Sequence, residues 1–367
     1  IERVGVTRSL PPSCTANAGS SANRSVPCPG SSVSPMGGER NPVLIRGRGR
    51  CEPAGARPEP ADHPADHDGD AERPAVVGDA RVVALHPVPT VDGVPPQQAQ
   101  LGLKDTLKQQ NYFLACACYP ESDLSVTLPD QVHSRARAVV RSIDALNPDI
   151  VRVRLHCLVP FDYQAGQYIN LFRDATLLRS YSLASVPASD ADLHLHVRRL
   201  PHGRVSGWVH DELRVGDELD ISTAMGACFY VPGNDEQGLL LIGTGSGLAP
   251  LYGILRDALQ RGHRGPIKLY HGSRNVDELY LVDELRELAA QHDNFVYTPC
   301  VSGAGVPPGF TPGRATRAAL ADTPKLSGWR AYLCGHPDMV AATKKQVFLA
   351  GVSMRDIYAD PFVRSAA

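Results

Sequence analysis

The sequence predicts a multi-domain chain in which a small antiparallel β-barrel precedes a doubly wound α/β domain. Between 131 and 232, short stretches rich in β-forming residues are separated by turn signals, which is typical of a small barrel. From 233 to 367, apolar strands alternate with segments of helical periodicity, and this alternation indicates a parallel sheet with helices on both faces. Residues 1–100 carry neither pattern.

The first hundred residues differ from the rest of the chain in composition. They contain no Lys, Phe, Tyr or Trp, and they hold 15 of the 31 prolines. Such a segment buries too little apolar surface to offset the entropy lost on folding, so 1–100 is predicted to be disordered. Out-of-frame reading of a GC-rich gene gives the same composition. A frameshift or a wrongly assigned start is therefore our preferred explanation over a natural tail.

Composition also limits the function. A formal net charge of -2 and a pI near 6.7 argue against a nucleic-acid-binding protein. No apolar run reaches about 18 residues, so no membrane span is expected. The nine cysteines form no C-x-x-C pair and no secretory signal opens the chain, so we expect free thiols and a cytoplasmic location.

One strand of the predicted barrel carries an unusual set of side chains. Side chains alternate across a strand, so Arg179 and Tyr181 share one face while Ser180 and Ser182 share the other. The guanidinium offers planar donors to a phosphate, the Tyr ring offers a flat apolar surface, and the Ser hydroxyl is a hydrogen-bond donor. An amphipathic edge strand is the alternative. The barrel strands are predicted at 136–143, 150–158, 167–172, 179–184, 193–198 and 218–221.

A helix is predicted at 205–213, directly after Gly203 and with Ser206 in its first turn. Free backbone N–H groups and the positive end of the helix dipole make this turn suitable for a phosphate. Helix capping alone explains Ser206 equally well.

Two histidines, His194 and His196, alternate on the predicted strand 193–198 and raise the question of a metal site. No carboxylate or Cys stands at ligand spacing from them. A solvent-facing strand edge is therefore the favoured interpretation.

Two glycine turns mark strand ends in the α/β part. Ligands bind at the carboxyl ends of parallel strands, so two such turns on neighbouring strands predict a nucleotide cleft. The Walker pattern is absent, and Leu248 stands where the dehydrogenase fingerprint has its third glycine. The turn glycines are Gly243, Gly245, Gly247 and Gly335. Strands are predicted at 239–242, 267–270, 295–301 and 331–334, and helices at 251–259, 277–291, 314–321 and 337–350.

Five motifs, in this order, make the chain similar to the ferredoxin-reductase-like flavoproteins over roughly two-thirds of its length. Within that family it resembles the three-part reductase components of oxygenases, which join a plant-type ferredoxin, an FAD-binding barrel and an NAD-binding domain. The motifs are Ala165-Gly166-Gln167-Tyr168, Arg179-Ser180-Tyr181-Ser182, Gly203-Arg204-Val205-Ser206, Gly243-Thr244-Gly245-Ser246-Gly247-Leu248-Ala249-Pro250 and Cys334-Gly335-His336-Pro337-Asp338-Met339.

The resemblance implies FAD in 131–232 and NADH in 233–367, with hydride transfer from the nicotinamide to flavin N5. Electrons would then leave one at a time to an acceptor protein such as an oxygenase component or a ferredoxin. Ser182 near N5 and Cys334 beside the nicotinamide are the implied catalytic residues. The implied FAD-binding residues are Arg179, Tyr181, Ser182, Gly203 and Ser206, and the implied NADH-binding residues are Gly243, Thr244, Gly245, Gly247, Gly335 and Pro337.

Two further segments resemble parts of the family less completely. The loop at 225–230 departs from the family's small polar pattern, so no contact is assigned to it. The tail at 357–362 resembles the family's C-terminus, where an aromatic residue covers the flavin.

Residues 101–130 resemble the end of a plant-type ferredoxin domain, a β-grasp fold, with a short helix followed by a strand at 112–115. In that family Cys116 would be the fourth ligand of a [2Fe–2S] cluster; a buried Cys in a strand is the alternative. The cluster needs three more thiolates from a C-x4-C-x2-C loop. The position where the third is expected, 81–86, has no Cys. We therefore expect the polypeptide as written to lack a complete cluster site.

NADH is expected in preference to NADPH. Related reductases often have a cation after the strand that here ends at Val301, where this chain has Ser302 and Gly303; Arg274 can still serve an NADPH phosphate. Two other functions stay open. One is a cluster-free NAD(P)H:flavin or ferredoxin reductase, and the other is a flavin-binding electron-transfer or regulatory subunit that does not oxidise NADH itself.

Overall fold

The structure, a computed structural model, describes residues 43–45, 87–120, 122–126 and 135–363. These residues form three β-sheets. The predictions made for 1–42 and 46–86, whether disorder or an altered reading frame, lie outside the described residues.

A small sheet precedes the barrel in the chain. It consists of β1 (Val43–Ile45), β2 (Pro87–Asp92), β3 (Tyr112–Leu114) and β4 (Leu124–Val126), with helix α1 (Asp105–Gln109) between β2 and β3. The strands pair antiparallel in the order β1-β4-β2-β3. Val88, Ala99 and Phe113 pack together in its core.

This sheet corrects the prediction that all of 1–100 is disordered. Residues 43–45 form a strand in it, and residues 87–100 supply a second strand and a 3-10 turn. Val88 is only 3% exposed because Phe113 and Val126, which lie beyond residue 100, cover it. The apolar partners of this segment come from another part of the chain, so its own composition cannot reveal them.

The predicted antiparallel barrel is confirmed. Its strands are β5 (Arg135–Asn147), β6 (Ile150–Cys157), β7 (Tyr168–Phe172), β8 (Leu178–Ser182), β9 (Leu193–Arg198) and β10 (Glu218–Ser222), and helix α2 (Arg204–Asp211) lies between β9 and β10. The sheet order is β8-β7-β10-β5-β6-β9. A bridge between Leu183 and Leu195 joins its two ends. Apolar residues from every strand fill the interior, so the barrel is a packed core.

The doubly wound domain is also confirmed. Its strands are β11 (Leu239–Thr244), β12 (Ile267–Ser273), β13 (Phe295–Val301), β14 (Thr311–Pro312), β15 (Arg330–Gly335) and β16 (Ile357–Pro361). Its helices are α3 (Leu248–Gln260), α4 (Val282–Gln291), α5 (Ala315–Asp322) and α6 (Pro337–Leu349). All six strands are parallel, in the order β14-β13-β12-β11-β15-β16. Leu241 packs into one core cluster and Leu240 into another, as expected for a sheet covered on both faces.

One predicted helix starts later than expected. The sequence predicts helix from 277, whereas α4 begins at Val282 after a 3-10 turn. Leu279 and Tyr280 are buried between the two, and Leu281 has a φ of 55°, so the chain leaves helical geometry in order to bury them.

Within the described ranges, no helix has both the length and the apolar character required to cross a membrane.

Candidate active site

Three strands bring Ser182, Asp360 and Cys334 together between the barrel and the parallel sheet. β8 ends at Ser182, while β15 and β16 lie side by side with Cys334 opposite Asp360. The Ser182 hydroxyl donates a hydrogen bond to Asp360 Oδ2 at 3.2 Å. The two residues predicted to be catalytic therefore both lie next to one carboxylate.

Burial governs the electrostatics of this group. It raises the pKa of Asp360, and the hydrogen bond from Ser182 offsets only part of the shift. Burial also raises the pKa of the Cys334 thiol well above its usual value, and the neighbouring Cys228 adds to the increase. Cys334 is fully covered. It is therefore a neutral thiol at neutral pH, and Asp360 holds a proton more firmly than a carboxyl group in water.

Cys228 reaches the site from the loop that follows β10. Its sulfur lies 4.0 Å from the sulfur of Cys334. Tyr332 of β15 donates a hydrogen bond to the carbonyl oxygen of Phe229 at 3.2 Å, which fastens this loop to the parallel sheet. The loop to which the sequence assigned no contact is thus part of the site.

Arg179 and Tyr181 project from β8, the strand at one end of the barrel sheet. Arg179 is exposed, and its Nη1 donates to the carbonyl oxygen of Leu178 at 2.7 Å. Tyr181 is half-buried against the barrel core, and this burial raises its pKa. A surface cation and a partly covered ring therefore precede Ser182 on the same strand.

The turn before α2 is built around Ser206. Gly203 is the residue before the first turn of the helix, and Ser206 is only 5% exposed. The Ser206 hydroxyl accepts a hydrogen bond from the N–H of Leu200 at 3.2 Å. It therefore holds the preceding loop, which is a different role from the helix capping that the sequence left open.

A cavity of about 670 Å³ adjoins this turn, and its lining includes Gly203, two arginines and two aspartates, Asp149 and Asp211. Arg198 is paired with Asp149 at 3.7 Å. Arg199 forms an ion pair with Asp211 at 2.7 Å. Arg198 also approaches the other predicted phosphate turn, because a Cβ built on Gly245 would lie 3.1 Å from Arg198 Nη1. The cavity at α2 and the glycine turn at α3 are therefore close neighbours.

The two glycine turns meet as the sequence predicted. β11 and β15 are neighbouring parallel strands, with Gly243 opposite Cys334. A Cβ on Gly247 would lie 2.4 Å from the carbonyl oxygen of Cys334. On Gly335, where φ is +122°, it would lie 2.6 Å from the carbonyl oxygen of Thr244. Each turn excludes a side chain because the backbone of the other turn occupies the space.

Thr244 and Pro337 connect these turns to the following helix. Thr244 Oγ1 accepts a hydrogen bond from the N–H of His336 at 3.2 Å. Pro337 is the first residue of α6, where its fixed φ suits the helix and no N–H partner is needed. Pro337 thus has a structural reason to be there, beside any role in ligand binding.

His196 corrects the expectation of a solvent-facing strand edge. It is only 4% exposed, and its Nδ1 lies 3.2 Å from the hydroxyl of Tyr280 in the α/β domain. Desolvation lowers its pKa to about 3, so it is neutral at neutral pH. His196 is therefore part of the contact between the barrel and the parallel sheet.

The small sheet also reaches the site, through α1 and its neighbours. Gln110 Nε2 donates to the carbonyl oxygen of Gly226, in the loop that carries Cys228, at 3.3 Å. Lys104 donates to a backbone carbonyl of β16. Asp105 forms a 3.0 Å ion pair with the buried Arg330 of β15. Segments on both sides of the site are thus held by α1 and the residues that flank it.

Cys116 was the one residue that the sequence proposed as a metal ligand. It is exposed, on a 3-10 turn after β3. Within the part of the chain that the structure describes, no three His, Cys, Asp or Glu residues are arranged to hold a metal ion. The four thiolates of a plant-type cluster are therefore not assembled by the described residues.

Sequence reasoning missed Asp360 and Cys228. Asp360 lies in the tail at 357–362, for which the family resemblance implies only an aromatic residue over the flavin. Cys228 lies in the loop at 225–230, which departs from the family's pattern. The available signal was a single acid in an apolar tail, Ile357–Pro361, and a Cys in an otherwise apolar loop.

Comparison with known proteins agrees with this geometry. The family described as "Oxidoreductase FAD-binding domain" matches residues 137–230, and "Oxidoreductase NAD-binding domain" matches residues 241–345. Both matches cover the parts of the chain that form the barrel and the parallel sheet.

Individual relatives point the same way. The reductase component of naphthalene 1,2-dioxygenase/salicylate 5-hydroxylase systems from Ralstonia sp. is 35% identical over 260 residues, covering 69% of this chain and 79% of the relative. The reductase component of phenol 2-monooxygenase from Pseudomonas sp. strain CF600 is 34% identical over 285 residues, covering 74% and 80%. The crystal structure of an Amycolatopsis cytochrome P450 reductase has a TM-score of 0.60 and 32% identity, covering 76% of this chain and 87% of that one. The chain belongs to the ferredoxin-reductase-like family of FAD- and NAD-binding oxidoreductases.

Proposed function

We propose that this protein is an NADH-dependent flavoprotein reductase, which passes electrons through FAD to an acceptor protein such as an oxygenase component or a ferredoxin. The convergence of Ser182, Asp360 and Cys334 at the junction of barrel and parallel sheet carries the proposal. The reductase components of oxygenases among the relatives support the choice of acceptor. We also propose a cytoplasmic location, because reduced nicotinamide nucleotides are held there and the six cysteines of the described part are free thiols.

The residues on the barrel side fit FAD. Arg179 lies exposed on β8 with planar donors suited to a diphosphate. Tyr181 presents a partly covered ring suited to packing on an isoalloxazine. The turn from Gly203 to Ser206 opens on the 670 Å³ cavity at the start of a helix, where backbone N–H groups favour an anion.

The residues on the sheet side fit a nicotinamide dinucleotide. Gly243, Gly247 and Gly335 allow the ends of β11 and β15 and the start of α3 to pack closely together. The turn at the start of α3 then presents backbone N–H groups that favour a diphosphate. Thr244 and Pro337 hold the two turns in register.

NADH rather than NADPH is the proposed donor. Ser302 and Gly303 follow β13, and Gly303 N–H donates to the carbonyl oxygen of Arg274 at 2.8 Å. The N–H of Arg274 in turn donates to a carboxylate oxygen of Glu278 at 3.2 Å. A carboxylate beside this strand end opposes a second phosphate, although Arg274 is a cation within the same turn.

When bound, the two cofactors supply the hydride donor and the hydride acceptor. The chain's own contribution is to orient and to exclude water. Ser182 presents its hydroxyl from β8, and Asp360 Oδ2 fixes the direction of that hydroxyl. Because burial raises the pKa of Asp360, this carboxyl group can hold a proton next to Ser182. On the parallel-sheet side of the site, Cys334 supplies a thiol that is neutral and buried.

For the iron–sulfur centre we propose that Cys116 occupies the position of a fourth ligand, in a chain that as written does not assemble a [2Fe–2S] cluster. An absorbance spectrum of the purified protein tests this, since flavin alone and flavin with a [2Fe–2S] cluster absorb differently. A cluster spectrum together with iron and sulfide in stoichiometric amounts would overturn it.

Steady-state NADH oxidation with a dye acceptor tests the main proposal on the same preparation. Turnover that depends on bound FAD supports a reductase. Bound FAD without turnover would instead identify a flavin-binding electron-transfer or regulatory subunit. Turnover with a dye and with free flavin, together with no reduction of any acceptor protein that is added, would favour a free-standing flavin reductase.

A further inference from the structure

Cys228 and Cys334 place two sulfurs face to face between the barrel and the parallel sheet. Their Sγ atoms are 4.0 Å apart, although 106 residues separate them in the chain. Cys334 is fully covered and Cys228 is 8% exposed. A disulfide bond is about 2.05 Å long, so the sulfurs need to approach each other by only about 2 Å.

The surrounding backbone holds both sulfurs in these positions. Cys334 lies within the sheet, flanked by β11 and β16. The Cys228 loop is tied to the same strand through Tyr332, which donates to the Phe229 carbonyl oxygen at 3.2 Å. On its other side the Cys228 carbonyl oxygen lies so close to Gly166 that a Cβ there would be 2.6 Å away. The loop is therefore confined on both sides, and the sulfurs stay close.

We propose that Cys228 and Cys334 are a redox-active pair, which hydrogen peroxide converts into a disulfide joining the barrel to the parallel sheet. Peroxide oxidises the Cys228 sulfur to a sulfenic acid, and its other oxygen leaves as water. The Cys334 sulfur then attacks the Cys228 sulfur, the S–S bond forms, and the hydroxyl group leaves as a second water. The two thiols together lose two electrons and two protons, and peroxide is the two-electron oxidant.

The order of these steps follows from exposure. Cys228 is the more exposed of the two, so it meets the oxidant first. Cys334 is fully covered and protonated, so it reacts poorly with dissolved peroxide, whereas Cys228 Sγ lies 4.0 Å away; its proton passes to the departing hydroxyl group as the S–S bond forms. Because the two sulfurs are neighbours before the reaction begins, Cys334 can attack the sulfenic acid on Cys228 before peroxide oxidises it further.

The effect on activity rests on the proposed function, in which Cys334 lies beside the nicotinamide. A disulfide consumes the Cys334 thiol and ties the end of β15 to the Cys228 loop. NADH oxidation is then expected to fall on the order of tenfold or more, since small displacements at a reacting site have large effects. A thiol reductant should restore it.

The test uses the full chain with FAD bound, treated with hydrogen peroxide. Remaining thiols are alkylated under denaturing conditions, and peptides are identified by mass spectrometry before and after reduction. We expect a peptide that links Cys228 to Cys334 and disappears on reduction. Alkylation of both cysteines after treatment, or irreversible oxidation of Cys228 without a link, would overturn the proposal.

Three variants sharpen the result. Cys228→Ser and Cys334→Ser should each abolish the link, and retained FAD absorbance shows that each variant is folded. Cys300→Ala is the matched control. Cys300 is a buried cysteine of the same parallel sheet, burial raises its pKa to about 12, and its thiol donates to the carbonyl oxygen of Thr298. Cys300→Ala should form the same link as the wild type, and loss of the link in this variant would count against the assigned pair.

Two outcomes separate this proposal from the proposed function. A reversible link with unchanged NADH oxidation supports the pair and contradicts the place of Cys334 beside the nicotinamide. A link in a protein that never oxidises NADH supports the pair and contradicts only the reductase function.

Discussion

The protein has two turns suited to phosphate, and they are built differently. At the start of α2, Gly203 faces a cavity whose charged lining consists of two ion pairs, Arg198 with Asp149 and Arg199 with Asp211. At the start of α3, the backbone of the neighbouring strand end leaves no room for a side chain at Gly247. Charged side chains therefore surround the first turn, whereas closely packed backbone surrounds Gly247 in the second.

The same contrast extends to the residues around each turn. On the barrel side the groups assigned to FAD act through formal charge and a ring, as in Arg179 and Tyr181. On the sheet side no assigned residue carries a formal charge, and the geometry depends on two parallel strands ending side by side. Losing charge should therefore weaken FAD binding, while adding a single methyl group should block the nucleotide.

The largest effect is expected for Gly247→Ala. Its new Cβ would lie 2.4 Å from the carbonyl oxygen of Cys334, so the turn or the end of β15 must shift. A displacement of about 1 Å at a reacting site costs on the order of a hundredfold in rate. NADH oxidation with a dye acceptor should fall by roughly that factor, while FAD absorbance is retained.

Ala290→Ser is the control for this change. Ala290 is exposed on helix α4, so the substitution adds one atom to a small residue outside the two turns. Its rate should stay close to that of the wild type. Equal loss of NADH oxidation in the two variants would show that the loss in Gly247→Ala does not come from the glycine turn.

Arg179→Ala should have the next largest effect, and on FAD instead of NADH. Removing the guanidinium takes a charged hydrogen-bond partner from the diphosphate, at a cost on the order of 1.5–3 kcal/mol. FAD affinity should weaken by roughly ten- to a hundredfold, measured by flavin fluorescence titration of the FAD-free protein. Arg137→Ala, which removes an exposed arginine paired with Glu218 at 2.7 Å, should leave affinity unchanged. Full flavin retention by Arg179→Ala on a desalting column would remove Arg179 from the site.

These contrasts also show what the sequence could reveal. Local patterns were sufficient for the barrel strands, the four central parallel strands and the two glycine turns, because each depends on residues close together in the chain; β14 and β16 were not predicted. The position of Asp360 could not be predicted in this way, because β16 joins the sheet by pairing with β15, and that pairing depends on the fold of the whole domain. The contact between Cys228 and Cys334 crosses 106 residues, and no local period encodes it.

His196 and the residues before 101 illustrate the same limit. An alternating strand predicts which side chains share a face, but the covering partner decides whether that face meets water. For His196 the partner is Tyr280 of the α/β domain. For Val88 it is Phe113. Both partners lie too far along the chain for composition or alternation to indicate them.

Ser302→Arg should change the choice of nucleotide by a smaller factor. The new cation would follow β13, next to the turn that holds Arg274, where the 2′-phosphate of NADPH is expected. One added charged hydrogen bond should raise the ratio of NADPH to NADH catalytic efficiency by about tenfold. Ser302→Gln, which is long but neutral, is the matched control and should leave the ratio unchanged. A similar ratio in both variants would place the ribose elsewhere.

The smallest effect is expected for Asp360→Asn, and it appears in stability as a function of pH. Burial raises the pKa of Asp360 in the folded protein, so between the usual pKa of an aspartate and the raised value the folded state binds more protons than the unfolded state. The free energy of unfolding of the wild type should therefore decrease as pH rises through this window, by at most about 1.4 kcal/mol per pH unit for one group. Asparagine does not titrate but can still accept the hydrogen bond from Ser182, so Asp360→Asn should lack this decrease and be the more stable protein above the window.

Urea unfolding of both proteins at several pH values measures the difference. The control is Asp283→Asn, an exposed position at the start of α4, which should parallel the wild type. Parallel pH profiles for Asp360→Asn and the wild type would mean that Asp360 is not held in a desolvated site, and its link to Ser182 would lose its electrostatic basis.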